Sequence, residues 1–264
     1  MGDSEYSFSL TTFSRTGKLL PIEYALNAVA NGRTSLGICC SEGVVLATDM
    51  KLPSVLVETD GVHKIEVINK TGGFCFAGLG PDYRVLGAYY YFLCRIPFGS
   101  RTLALSPSFV FSTTVKRARK SAQAYYRTYG EVQNVRELTK ATATVMQEYT
   151  QRGGVRPFGV SILVAGLDAE GEPSLFQVDP SGAYFGWKAT AIGKNYVNAK
   201  SFLEKRWTPE MGVEDAVHTA LLTLREGLEG EMTSSNIQVG VCKRDGAFHV
   251  LTPAQIQDYL DEAN

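Results

Sequence analysis

Thr34-Ser35-Leu36-Gly37-Ile38-Cys39-Cys40-Ser41-Glu42-Gly43-Val44-Val45-Leu46-Ala47-Thr48 decides the fold. Two short apolar runs flank the turn Ser41-Glu42-Gly43, so Thr34–Cys39 and Val44–Thr48 read as a paired pair of strands. Upstream, Gly32 stops a helix whose stripe is Ile22, Ala25, Leu26 and Val29, with Pro21 and Glu23 in its first turn. Residues 6–17 read as an extended arm ending in a turn at Ser14-Arg15-Thr16-Gly17. Downstream, further strands are expected at Val55–Glu58, Lys64–Ile68 and Phe74–Ala77.

Helices are expected from Gly80 to Leu86, from Val115 to Tyr129 and from Val135 to about Tyr149, where Gly153-Gly154 breaks the pattern. Strands follow at Phe158–Ala165, Ser174–Val178 and Ala183–Trp187, then helices at Asn195–Lys205 and Val213–Leu228. A hairpin of Ile237–Lys243 and Phe248–Leu251 precedes a last helix, Pro253–Leu260. Strands thus come in hairpin-linked groups rather than alternating with helices. That argues for antiparallel sheets with helices outside, a layered sandwich in one domain spanning 1–264.

Residues 87–114 depart from this order. They hold seven of the chain's 28 aromatics and no acid. Joining Leu86 to Val115 restores one amphipathic helix, with Leu86, Val115, Ala118, Ala122 and Tyr125 on one face. The segment therefore reads as an insertion into a helix. An interaction loop is one reading; a retained intron or mispredicted exon is the favoured one, since Tyr89-Tyr90-Tyr91-Phe92-Leu93 would be an aggregation liability if exposed. The basic run Lys116-Arg117-Ala118-Arg119-Lys120 reads as that helix's solvated face.

Composition excludes several classes. With 264 residues and 44% hydrophobic content the chain can bury a large core, and a net charge of −1 gives no signal for nucleic acid or an anionic membrane. The five cysteines are odd in number and form no CxxC pair, which suits free thiols in a reducing compartment. Alternation sends Cys39 and Cys40 to opposite faces, so neither reads as a nucleophile. His63, His218 and His249 have no metal-ligand spacing, and no cofactor motif occurs. No secretory signal or membrane span is visible; cytosol, with nucleus, is the expected location.

Three stretches carry a resemblance. The first is Tyr6-Ser7-Phe8-Ser9-Leu10-Thr11-Thr12-Phe13-Ser14 with Gly17-Lys18-Leu19 and Ile22-Glu23-Tyr24-Ala25-Leu26. The second is Gln147-Glu148-Tyr149-Thr150-Gln151 with Gly153-Gly154-Val155-Arg156-Pro157-Phe158-Gly159-Val160-Ser161. The third is Asp179-Pro180-Ser181-Gly182 with Lys188-Ala189-Thr190-Ala191-Ile192-Gly193. In this order they resemble the alpha-type subunits of the 20S proteasome, and the Tyr6–Leu10 opening is similar to the family's type-2 form. The resemblance covers all but residues 87–114. It implies an α+β fold: a four-layer α-β-β-α sandwich of the N-terminal nucleophile hydrolase type, with two antiparallel sheets between helix pairs. It further implies a seven-membered ring with other alpha subunits, stacked on a ring of beta subunits and met by regulatory particles and activators. Residues 1–17 would be the gate arm and 18–32 the alpha-specific helix.

Catalytic relatives use an N-terminal threonine whose own amine is the proposed base, supported by an aspartate and a lysine. Aligning on Ser41–Ala47 puts Arg33 at the nucleophile position and leaves Thr34 internal, while Asp49 and Lys64 fall at the supporting positions. The resemblance therefore implies a structural subunit without catalytic residues. It assigns Lys64 and Gly32 to activator docking, Lys64 as an exposed lysine facing a carboxylate. It assigns Tyr6, Ser7, Arg15 and Tyr24 to the gate and its turn, with Arg15 standing where proline is usual. An N-terminally processed enzyme, and a binding module acting through residues 87–114, are the competing readings.

Overall fold

The computed structural model describes residues 13–14, 16–50, 54, 56–57, 62–85, 113–228, 230, 232–244 and 246–262. The hairpin expected around Ser41-Glu42-Gly43 forms as β1 (Ser35–Cys39) and β2 (Gly43–Asp49), antiparallel with Ser35 opposite Thr48 and Cys39 opposite Val44. The Cys40 amide donates to the Gly43 carbonyl at 2.9 Å and closes the turn. β2 pairs on its other side with β9 (Ile237–Lys243), which carries β10 (His249–Val250), and β1 pairs with β8 (Ala189–Ile192). The first sheet thus runs β10-β9-β2-β1-β8. The second runs β3-β4-β5-β6-β7 through Ile65–Val67, Gly72–Gly78, Val160–Leu167, Pro173–Val178 and Tyr184–Trp187. Every pairing is antiparallel.

Side-chain alternation builds three apolar layers. Leu36, Ile38, Val45, Ala47, Val239 and Val241 face outward from the first sheet. They meet α5 (Tyr196–Arg206), α6 (Val213–Gly227) and α7 (Pro253–Glu262) through Leu203, Val217, Leu221, Leu224 and Ile256. Phe74, Phe76, Ile162 and Val164 face outward from the second sheet onto Leu138, Met146 and Tyr149 of α4 (Val135–Gln151). Val44, Leu46, Cys75, Leu163, Leu175 and Phe248 fill the space between the sheets. Strands covered on both faces need apolar residues at every position, which is why Val44–Ala47 reads as a continuous run. These layers form the expected four-layer sandwich.

Helix starts follow local chemistry. Asn134 caps α4 by accepting the Glu137 amide at 2.9 Å, and Pro21 sits at the start of α1 (Leu20–Ala30). α2 (Gly80–Val85) is held by Asp82, which accepts two bonds from Arg156 at 2.5 and 2.8 Å and one from the Gly159 amide at 2.9 Å. Burial works against the Asp82 carboxylate. The bonds and charge of Arg156, with the Gly159 amide, still hold its pKa below the usual value.

Several expectations need correction. β8 was not foreseen as a strand. Ser54, Leu56 and Val57, within and beside the strand expected at 55–58, form a turn closed by the Val57 amide on the Ser54 carbonyl, and Leu56 is 94% exposed. α4 runs two residues past Tyr149 to Gln151. α3 (Thr113–Tyr129) begins two residues before Val115, inside the expected insertion; residues 87–112, with the join at Leu86, lie outside the described residues. Nor is Arg119 merely solvated. Its Nε donates to the Val67 carbonyl at 2.6 Å and its Nη2 pairs with Glu66 at 3.0 Å, covering the edge strand β3.

Candidate functional site

α1 ends at Asn31, and the chain passes through Gly32-Arg33-Thr34 into β1 across crowded backbone. A Cβ on Gly32 would lie 2.3 Å from the Gly78 amide nitrogen, and one on Gly193 would lie 2.5 Å from the Arg33 carbonyl oxygen. Gly78 and Gly193 also hold positive φ angles of 120° and 90°. These contacts fix the main chain at the very position the sequence reading assigned to a nucleophile.

Around it lies a polar network at one end of the inter-sheet layer. Ser35 Oγ lies 2.7 Å from Thr48 Oγ1 and 2.8 Å from the Phe76 carbonyl, joining the two sheets. Lys64 Nζ donates to the Asp49 carbonyl at 2.9 Å and to Ser35 Oγ at 3.3 Å. The Lys64 and Ile65 amides both donate to Gln238 Oε1, at 2.8 and 3.2 Å. Arg33 Nη1 stands 3.6 Å from Asp49 Oδ2; the arginine side chain is 44% exposed and the aspartate 7%.

Lys64 is buried, at 9% exposure, which corrects the expectation of an exposed lysine. Loss of hydration lowers its pKa to about 8, against the raising effects of Cys75 and Asp49 and with a further lowering by Arg33. Gly32 is fully engaged: its amide donates to the Val29 carbonyl at 2.9 Å and its carbonyl accepts the Lys194 amide at 2.7 Å.

The resemblance implies one template for Arg33, Asp49 and Lys64, and the structure brings all three together. Arg33 stands where the resemblance puts the nucleophile. A guanidinium stays protonated and attacks nothing. Thr34 follows Arg33 in continuous chain from α1, and its hydroxyl donates to the Lys194 carbonyl at 2.6 Å. The Ser35 and Thr48 hydroxyls are fully buried and hydrogen-bonded.

The gate residues are divided. Tyr6, Ser7 and Arg15 lie outside the described residues; Tyr24 is 58% exposed on α1. The turn expected at 14–17 is present, with the Gly17 amide on the Ser14 carbonyl at 2.9 Å. Cys39 packs toward the inter-sheet layer and Cys40 toward the helices, as alternation required. Burial, with neighbouring negative charge, raises the Cys39 thiol to about 11. Among the described residues no cluster of His, Cys, Asp and Glu could hold a metal, and no helix is long and apolar enough to cross a membrane.

Sequence reasoning missed two features. Gln238, which ties β9 to the start of β3, gave no signal because its partners are remote in sequence. Tyr184, Phe185 and Trp187 stand exposed on the edge strand β7, where Tyr184 and Trp187 line a cleft of about 550 Å³ with Phe176, Lys188 and Trp207. In the sequence the run Ala183–Trp187 signals only a strand.

The proteasome subunit family model matches residues 29–95 and 111–242, leaving 96–110 unmatched within the expected insertion. The chain is 54% identical to an Arabidopsis thaliana protein named proteasome subunit alpha type-2-A and 52% identical to an Oryza sativa subsp. japonica protein named proteasome subunit alpha type-2, each over 99% of both chains. It is 51% identical to the Drosophila melanogaster protein of the latter name, over 98% of both. With matches of this extent on the fold and site just described, the chain belongs to the proteasome subunit family.

Proposed function

We propose that this chain is a non-catalytic alpha-ring subunit of the 20S proteasome core. The observation that carries the reading is the cluster of Arg33, Asp49 and Lys64, in which the resemblance sets Arg33, not a threonine, at the nucleophile position. Similarity along nearly the whole length to proteins named alpha type-2 supports the alpha assignment. The subunit sits in a seven-membered ring with other alpha subunits, scaffolds the beta ring, and works in cytosol and nucleus in ubiquitin-dependent and -independent degradation. Exposed aromatics on β7 suit a chain whose edges are covered by neighbours.

Residues 1–17 serve as a gate arm, with Tyr6, Ser7, Arg15 and Tyr24 around its turn, and residues 18–32 as the alpha-specific helix. Residues 87–114 are an insertion dispensable for assembly. Activator tails dock at Lys64 and Gly32, although Lys64 is buried in the single chain. Native mass spectrometry of the endogenous complex, captured through a tag on this chain, tests the reading. Recovery in a large peptidase particle, one copy per ring, is expected. A monomer, or a chain active by itself, contradicts it.

A further inference from the structure

We infer that the cleft beside β7 is a docking site for an acidic peptide segment that carries an aromatic residue, presented by a partner that meets the assembled particle from outside the ring. The cleft holds about 550 Å³, a volume typical of ligand pockets. Its described lining includes two exposed cations, Arg136 and Lys188, and no carboxylate. Among the described residues neither cation is paired with an acid. Glu172, one residue before the lining Pro173, is already engaged by Arg244. Charge complementarity therefore selects an acidic occupant. Arg136 is also the second residue of α4, at the positive end of that helix, so the two positive potentials add.

The walls are aromatic and partly fixed. Trp207 Nε1 donates to the Cys39 carbonyl at 2.9 Å, and Lys188 Nζ lies 4.9 Å from the centre of the Trp207 ring. Gly186 makes the room. It faces Phe176 across the β6–β7 ladder, and a Cβ there would meet the Phe176 ring at 3.4 Å. Gly186 does not hold a positive φ, so the backbone does not call for glycine. What the missing side chain provides is access to the Phe176 ring. With Tyr184, Trp187 and Trp207, that ring suits an aromatic side chain in offset or edge-on packing. Phe185 does not line the cleft and is left for a ring neighbour.

The test is fluorescence anisotropy of a fluorescein-labelled peptide with a tryptophan between two glutamates. It is titrated with the full chain and with purified particles carrying the wild-type or variant chain. A second peptide has glutamines in place of the glutamates. The glutamate peptide should bind chain and particle saturably, and the glutamine peptide about tenfold more weakly. Arg136→Gln and Lys188→Gln should each raise the half-saturating concentration of the glutamate peptide about tenfold, and rising salt should weaken binding. Gly186→Leu, which fills the cleft, should abolish binding while circular dichroism shows an unchanged fold; if that variant unfolds, the two charge variants decide. No binding of the glutamate peptide, equal binding of the two peptides, or wild-type binding by both charge variants overturns the proposal. Binding to the full chain but not to the particle puts a ring neighbour in the cleft and overturns the partner named here. The full-chain titration tests the cleft whether or not the ring reading holds.

Discussion

The layer between the two sheets has a dry end and a wired end, and β2 runs through both. Val44, Leu46 and Thr48 share one face of that strand. Val44 and Leu46 pack into an apolar cluster with Cys75, Leu163 and Leu175. Two residues on, Thr48 lies in a hydrogen-bonded set with Ser35 beside the buried Lys64 ammonium. Packing alone would favour continuing the apolar pattern, since burying a charge costs stability even when its bonds are satisfied. The dry end therefore holds the fold, and the wired end holds Ser35, Thr48 and Lys64 in one hydrogen-bonded set.

Breaking the dry end should have the largest effect. Leu163 is fully buried between the sheets, so Leu163→Ala should cost about 4 kcal/mol in urea unfolding followed by tryptophan fluorescence. A loss below about 1 kcal/mol would mean that the layer collapses freely.

The wired end should declare itself through pH. Lys64 has a folded pKa of about 8 against an ordinary 10.5. Below pH 8 both folded and unfolded chains hold the proton. Between 8 and 10.5 the unfolded chain binds more, so stability rises with pH, and above 10.5 the gain is complete. Relative to Lys64→Met, the wild type should gain roughly 3 kcal/mol across that window. Parallel curves would show that the ammonium carries no burial penalty.

Asp82 is a polar clasp outside both ends, and Asp82→Asn should cost about 2 kcal/mol at neutral pH by losing charge-assisted bonds from Arg156 and Gly159. Its folded pKa is lowered, so the wild-type advantage exists above the ordinary carboxylate pKa and is lost as pH falls through the folded value. An advantage that persists in acid would rule out the carboxylate as its source. The smallest stability change belongs to the surface. Phe185→Lys on the exposed β7 edge should shift stability by less than about 0.5 kcal/mol yet reduce recovery in the assembled particle. Undiminished recovery would show that β7 is not a covered edge.

Much of this was legible in the sequence because alternation and turn residues act locally. The hairpin around Ser41–Gly43 and the capped helix after Asn134 are set by neighbouring residues. β8 was missed because Lys188–Gly193 offers only four strand residues, held by pairing with the distant β1. At the site, the resemblance set Arg33, Asp49 and Lys64 on one template. The burial of Lys64 was not legible, because it depends on Ser35, Asp49 and Gln238 closing around the side chain and main chain from remote strands.

The most direct test is the intact mass of this subunit, taken from the purified particle after treatment with a threonine-directed electrophile. The expected result is a chain that keeps its residues upstream of Thr34 and carries no adduct, while subunits of the same particle are labelled. A chain that begins at Thr34, or one bearing the electrophile, would contradict the non-catalytic reading.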